Sequence, residues 1–375
     1  MVNCLLEKGT SPFKMRLRSC CRSRRGMPPV SRSQVSNHQS LKLGVDRVDR
    51  AVRTAVREAR APEEIYAAAE EAAALLRRGE IVAVPTETVY GLACDALNAE
   101  AAAKVFAAKE RPSFDPLIAH VADATWIESL SVVTGGADAL ARKLAEAFWP
   151  GPLTMVLPAK DVVPDLVRSG LPTVALRCSA HPAMAALVAA LGRPVAAPSA
   201  NRFGRISPVT AQDVIEELDA RIPLVLDGGP CRHGLESTIV AVEDGRLVLL
   251  RPGPVTVEEL SKFAPVQRAS RGGAVAAPGM LESHYAPRTP LSLWSGDAAL
   301  PVDAATSGLL AFGAAGPGFA AVEVLPSDPA DAAPLFFAAL RRLDASGVRR
   351  IYARGIPESG LGMAIMDRLR RAAHG

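Results

Sequence analysis

The stretch that most constrains this chain is the apolar run at residues 81–84 together with the eight residues that follow it, Pro85-Thr86-Glu87-Thr88-Val89-Tyr90-Gly91-Leu92. Ile81-Val82-Ala83-Val84 is short, apolar and rich in β-branched residues, the pattern of a buried strand. Pro85 has no amide proton to give a sheet ladder, so the strand ends there. The next residues are not those of an ordinary strand-to-helix loop. Two threonines, a carboxylate and a tyrosine crowd into five positions, and Gly91 then lets the backbone turn. Loops at the carboxyl ends of strands in α/β sheets are where small ligands bind. Taken alone, this loop reads equally well as a capped turn.

The segments on either side continue the α/β pattern. Pro62-Glu63-Glu64 opens a helix with proline and acids in its first turn. Ile65, Ala68, Ala69, Ala72, Leu75 and Leu76 form its apolar stripe, and Gly79 closes it. A second helix is expected over residues 99–109, stopping before Pro112. Strand-like runs recur near 117–121, 153–157, 173–176, 195–197, 224–226 and 237–242, with helices near 137–148, 183–191 and 211–218 between several of them. Asp244-Gly245 joins two apolar runs as a hairpin. Residues 264–290, rich in Pro, Gly, Ala and Arg, read as a linker. A smaller α/β unit over 291–375 follows it. The expected organisation is a basic, disordered extension at 1–60, a main domain at 61–263, the linker, and the second domain.

Charge is unevenly placed. Residues 1–60 hold 14 Lys/Arg against 4 Asp/Glu, leaving the remaining 315 residues with a net charge of −6. That balance argues against a protein that grips nucleic-acid backbone over a broad basic face. The extension, Arg-rich and acid-poor, has the composition either of a disordered tail or of a mitochondrial-type targeting peptide. The cysteines Cys4, Cys20, Cys21, Cys94, Cys178 and Cys231 form no C-x-x-C pair. Such scattered thiols fit a reducing cytosol and a cytoplasmic location, and give no zinc ribbon. No apolar run reaches the 18–20 or so residues needed to cross a bilayer, so a soluble chain is expected.

Four further clusters sit at element ends. Lys109 and Arg111 leave a helix together, placed to face one anion, although cations favour helix C-termini in any case. Ser199 and Asn201 follow the run at 195–197 and can contact phosphate or ribose, or simply cap a turn. Gly228-Gly229 and Gly234-Leu235-Glu236-Ser237-Thr238 allow close backbone approach at a strand mouth. Arg177 and Arg251 each end a strand; several such arginines in one domain suggest a polyanion site. No G-x-x-x-x-G-K-[ST], G-x-S-x-G or H-E-x-x-H motif is present, so any nucleotide is held in another kind of cradle.

Taken together and in this order, these stretches closely resemble the threonylcarbamoyl-AMP synthases, the YrdC-like family. The resemblance rests on residues 85–92, the Lys109/Arg111 pair, the Ser199/Asn201 pair, the linker segment Pro278-Gly279-Met280-Leu281-Glu282-Ser283-His284-Tyr285-Ala286-Pro287, and the closing helix Leu361-Gly362-Met363-Ala364-Ile365-Met366-Asp367-Arg368-Leu369. It implies an α/β fold: a twisted mixed-sheet catalytic domain followed by the smaller Rossmann-like domain of the long form. It also implies a reaction, the conversion of L-threonine, bicarbonate and ATP, with Mg²⁺ accompanying ATP, to threonylcarbamoyl-AMP and pyrophosphate. A downstream complex would then transfer the threonylcarbamoyl group to tRNA next to the anticodon, with weak or no direct RNA binding by this chain and no membrane. By the same resemblance Thr88, His120, Arg177, Ala197 and Ser237 hold threonine. Arg111, Asp115, Thr173, Ser199, Ser207, Arg251 and Tyr285 hold ATP, and Lys109, Arg111, Ser199 and Asn201 carry the catalysis, with no protein-held metal. Asp115 stands where the family commonly has Asn, and is left to magnesium or a ribose hydroxyl. The alternative reading is an RNA-binding protein acting on tRNA or rRNA without adenylate synthesis.

Overall fold

The computed structural model describes residues 53–269, 284–295 and 299–374. Most of the expected basic extension, and the 278–283 part of the linker motif, lie outside the described residues. The main sheet is built from β1 (Ala55–Glu58), β2 (Val82–Val84), β3 (Gly91–Asp95), β4 (Ile118–His120), β5 (Leu153–Pro158) and β6 (Thr173–Arg177). It is completed by β7 (Val195–Ala196), β8 (Leu224–Asp227), β9 (Thr238–Glu243), β10 (Arg246–Arg251) and β11 (Val266–Arg268). The strand order is β1-β8-β2-β3-β7-β4-β6-β5-β9-β10-β11. Pairing is mixed: β4 and β6 run parallel, whereas β3 and β4 each pair antiparallel with β7.

Helices cover both faces because the strands are apolar on both sides. On one face the helices Pro62–Arg77 and Pro182–Leu191 bring Ala72, Leu76 and Leu187 against Val82 and Val84. On the other, Ala99–Lys109 and Gly135–Phe148 bring Val105, Leu140 and Leu144 against Leu92 and Met155. The start of Ala99–Lys109 is fixed by Asn98, whose side-chain oxygen accepts from the Glu100 and Ala101 amides at 3.0 and 3.1 Å. Such a cap contributes about 1 kcal/mol. It also sets where Lys109 leaves the helix.

Two expectations are corrected. The extension does not run to residue 60, because Ala55–Glu58 is a strand paired parallel with β8. The region 264–290 is not simply a linker, since Val266–Arg268 extends the main sheet beside β10. Residues 85–90 join two antiparallel strands, with Val84 opposite Gly91.

The second domain is a four-stranded parallel sheet of β12 (Leu291–Trp294), β13 (Gly308–Phe312), β14 (Ala321–Leu325) and β15 (Ile351–Arg354), in the order β12-β15-β13-β14. The helices Pro329–Ala345 and Leu361–Ala372 supply Phe336, Phe337, Leu340, Ile365 and Leu369 to its core. This domain abuts the first closely. Gly234 has φ +64°, and a Cβ there would come within 2.6 Å of Pro334 Cα. Arg341 donates to the Ile206 carbonyl at 2.6 Å. No helix among the described residues is long and apolar enough to cross a membrane.

Candidate active site

The loop after β2 is held by its own hydroxyls. Thr86 Oγ1 accepts from the amides of Thr88 and Val89 and donates to the Val89 carbonyl at 2.6 Å. A Ser/Thr turn of this kind satisfies backbone groups that the sheet does not. Tyr90 N donates to the Pro208 carbonyl, and Leu92 N to that of Pro198 at 2.7 Å. The loop and the 197–199 segment are therefore laced together. Gly91 makes the lacing possible: a Cβ at this position would lie 3.0 Å from the Ala197 Cβ.

A cavity of about 40 Å³ opens between these segments. Of the residues expected to hold threonine, Thr88, His120, Arg177, Ala197 and Ser237 all line it. Of those expected to hold ATP, Arg111, Ser199, Arg251 and Tyr285 line it as well. The sheet order explains the convergence, because β4 and β6 end where β9, running the opposite way, begins, although their residues are far apart in the chain.

The electrostatics are those of buried arginines, several of them paired with buried carboxylates. Arg177 donates from Nη1 to Thr88 Oγ1 at 2.9 Å, from Nε to the Gly151 carbonyl at 3.2 Å, and pairs through Nη2 with Glu87 at 2.8 Å. Burial alone would raise the Glu87 carboxyl, but Arg177 and the Ser179 hydroxyl, which donates at 2.5 Å, hold it down to about 2. Arg251 donates from Nε to the Ser237 carbonyl and from Nη2 to Ser237 Oγ, at 3.0 and 3.1 Å. Ser237 Oγ lies 2.8 Å from Thr154 Oγ1. Burial lowers the pKa of Arg111 and Arg251 from their ordinary values, yet guanidinium groups stay charged. His120 is pushed down to about 3 by burial and by Arg177 beside it. It is a neutral imidazole at ordinary pH, and neither ring nitrogen makes a hydrogen bond of good geometry. It lines the cavity as a neutral polar group.

Five expected residues do not line the cavity. Lys109 is fully buried, and Nζ donates to the carbonyls of Ser199 and Asn201, both at 2.5 Å. It holds the 199–201 loop in place rather than facing a polyanion. The Asn201 amide donates to the Arg202 and Arg205 carbonyls at 2.8 and 2.9 Å, bracing the same loop. Ser207 donates to the Glu236 carboxylate. Thr173 stands opposite Pro158 at the far end of β6 from Arg177, so nearly the whole strand separates the two side chains. Asp115 pairs with Arg111 at 2.9 Å, both buried. Burial pushes the Asp115 carboxyl above its usual range in spite of that partner. Neither Asp115 carboxylate oxygen makes a further hydrogen bond. No cluster of three or more Asp, Glu, His or Cys side chains suited to a metal occurs among the described residues.

Four participants escape the motif reading. Glu87 lies inside the first motif but reads as one polar residue among several. Glu236 and His284 also line the cavity. Arg368, from the helix Leu361–Ala372, pairs with Glu236 at 3.0 Å. A signal for Arg368 exists in the sequence: it shares a helical stripe with Ala364, Ile365, Leu369 and Ala372, all buried.

Comparison with known proteins agrees with this architecture. A family model described as Telomere recombination (Sua5, YciO and YrdC) matches residues 74–253, and one described as Threonylcarbamoyl-AMP synthase, C-terminal domain, matches residues 255–374. Threonylcarbamoyl-AMP synthase of Pyrococcus abyssi is 40% identical over 80% of this chain and 93% of its own length. That of Bacillus subtilis is also 40% identical, over 81% and 92% respectively. The crystal structure of P. abyssi Sua5 complexed with L-threonine superposes with a TM-score of 0.77 at 36% identity, covering 86% of this chain and 98% of that one. With both domains, their order and the greater part of each relative's length matched, the chain belongs to the threonylcarbamoyl-AMP synthase family, in its two-domain form.

Proposed function

We propose that the cavity binds L-threonine, bicarbonate and ATP together and yields threonylcarbamoyl-AMP and pyrophosphate, for threonylcarbamoyladenosine formation in tRNA next to the anticodon. The observation that carries this reading is one cavity holding an amino-acid-sized set of polar groups, Thr88, His120, Arg177 and Ser237, beside Arg111, Ser199 and Arg251. The P. abyssi relative crystallised with L-threonine supports the first ligand. The two cavity-lining guanidinium groups, Arg111 and Arg251, support a phosphate-bearing second one.

The chemistry follows from the bonds to be made. The unprotonated threonine amine attacks the carbon of bicarbonate and a carbamate forms with loss of water; if CO₂ is attacked instead, bicarbonate has first lost hydroxide, and that hydroxide takes the amine proton. A carbamate oxygen then attacks the α-phosphorus of ATP, and the bond to pyrophosphate breaks. Neither step needs a covalent enzyme intermediate, so alignment and charge stabilisation carry the rate. Arg111 and Arg251 offset the charge gathering on the leaving pyrophosphate. His120, neutral and resistant to protonation, orients by hydrogen bonding rather than holding a proton. Magnesium enters as the counter-ion of ATP, and no step is assigned to it.

A cavity of about 40 Å³ has room for little more than water. Tyr285, wholly buried, fills the nucleotide side. In this reading the His284–Tyr285 segment moves aside to admit ATP and returns over it. The described cysteines Cys94, Cys178 and Cys231 are free, which supports a reducing, cytoplasmic setting.

The test is pyrophosphate release by the purified chain. Release that requires threonine and bicarbonate together, and that drops at least 10-fold in Arg251→Ala, is the expected result. Release indifferent to threonine would overturn the assignment.

A further inference from the structure

Arg368 is the largest wholly buried side chain among the described residues, and it belongs to the second domain, not to the one that forms the cavity. Its guanidinium is spent on the wall of the site. Nε donates to Glu236 Oε2 at 3.0 Å, Nη1 to the Pro252 carbonyl at 2.5 Å, and Nη2 approaches the Glu236 carbonyl at 3.4 Å. The same group lies over the Tyr285 ring, 5.3 Å from its centre. Asp367 flanks it at 3.2 Å.

Each of these partners is tied to the nucleotide side. Glu236 lines the cavity and takes the Ser207 hydroxyl on its other oxygen. Pro252 follows Arg251, whose own fork holds Ser237, the neighbour of Glu236. Tyr285 is the buried ring that closes the cavity on that side. Arg368 itself does not line the cavity. One rigid planar fork thus joins the end of β10, the segment before β9 and the Tyr285 ring. Lysine cannot replace it at such a site, because an ammonium offers no fork and no flat face.

We infer that Arg368 is a positioning residue for the nucleotide half of the site, through which the closing helix of the second domain sets the placement of Glu236, Arg251 and Tyr285. The inference rests on the reading of the cavity given above. Its consequence is selective. Loss of the fork should weaken ATP use more than threonine use: Ser237 is shared through Arg251, but Thr88 and Arg177 hold each other and make no contact with Arg368.

The experiment measures KM for ATP and KM for threonine separately, by pyrophosphate release, in the wild-type full chain, in Arg368→Lys and in Glu236→Gln, with thermal unfolding followed alongside. Arg368→Lys is expected to raise KM for ATP about tenfold, the scale of one lost charge-assisted hydrogen bond, with KM for threonine within about twofold of wild type. Glu236→Gln, approaching the same pair from the other side, should give the same split, so that either variant suffices if the other does not fold. A merely structural role for Arg368 predicts a lower unfolding temperature with both KM values moved alike or neither moved, and would overturn the inference. Wild-type chain inert with all three substrates would instead overturn the assigned reaction, a separate outcome.

Discussion

Glu87 and Arg177 lie 2.8 Å apart as an ion pair that is almost wholly buried. One member comes from the loop after β2 and the other from the end of β6. Breaking such a pair from one side leaves an uncompensated charge inside the protein. Glu87→Gln should therefore destabilise the fold by about 3–5 kcal/mol. It should also raise KM for threonine, because the released Arg177 no longer holds Thr88 at 2.9 Å. Denaturant unfolding and a threonine titration check the two effects.

The same pair fixes a pH window. Glu87 titrates at about 2 in the fold, below the usual glutamate value. Its contribution is present above roughly pH 4.3 and is lost as pH falls toward 2, about 3 kcal/mol in all. Wild-type stability should lose this increment over that acid range, and Glu87→Gln should not.

His120 acts in a different window. With its pKa pushed down to about 3, the folded state refuses a proton that the unfolded state accepts near pH 6.5. Its contribution thus falls by about 1.4 kcal/mol for each unit of pH lost between those limits. His120→Asn should remove that slope. Turnover in the wild type should show no titration of His120 between pH 6 and 8.

Lys109 braces a loop from beneath. Lys109→Ala would strand the part-buried Ser199 carbonyl and the buried Asn201 carbonyl that now accept from Nζ. The expected cost is about 2–6 kcal/mol at 1–3 kcal/mol for each of the two stranded groups. Turnover should fall at least 10-fold, since the misplaced loop carries Ser199. Unfolding curves and kcat measured on the same samples separate the two losses.

Gly91→Ala probes the lacing of the two loops. The new methyl would press on the Ala197 Cβ at 3.0 Å. The expected result is a stability loss of about 1–3 kcal/mol from overpacking, with a larger effect on kcat/KM than an alanine substitution at exposed Glu146 would have.

Much of the site was legible because its residues sit immediately after strands, where Pro85, Ser199 and Arg177 mark the ends of apolar runs. What was missed has physical causes. The strand Gly91–Asp95 begins with glycine and ends with aspartate, both poor strand formers, and is made by its pairing with β2 and β7. The strand Ala55–Glu58 is an edge with mostly exposed residues, and only β8, far along the chain, reveals it. Charge points Lys109 toward an anion, and the family resemblance assigns Asp115 to ATP. Burial and local carbonyls turned them inward, and no local pattern records that. Arg368 had the converse problem: an arginine near a helix C-terminus reads as surface charge until the opposing Glu236 is seen.

The central claim is that threonine, bicarbonate and ATP meet in one cavity, and following the carbon atom of bicarbonate tests it most directly. The chain incubated with ¹³C-bicarbonate, ATP and threonine should yield labelled threonylcarbamoyl-AMP, seen by mass spectrometry, and no labelled adenylate when threonine is omitted. ATP consumed with the label absent from every adenylate would contradict the account.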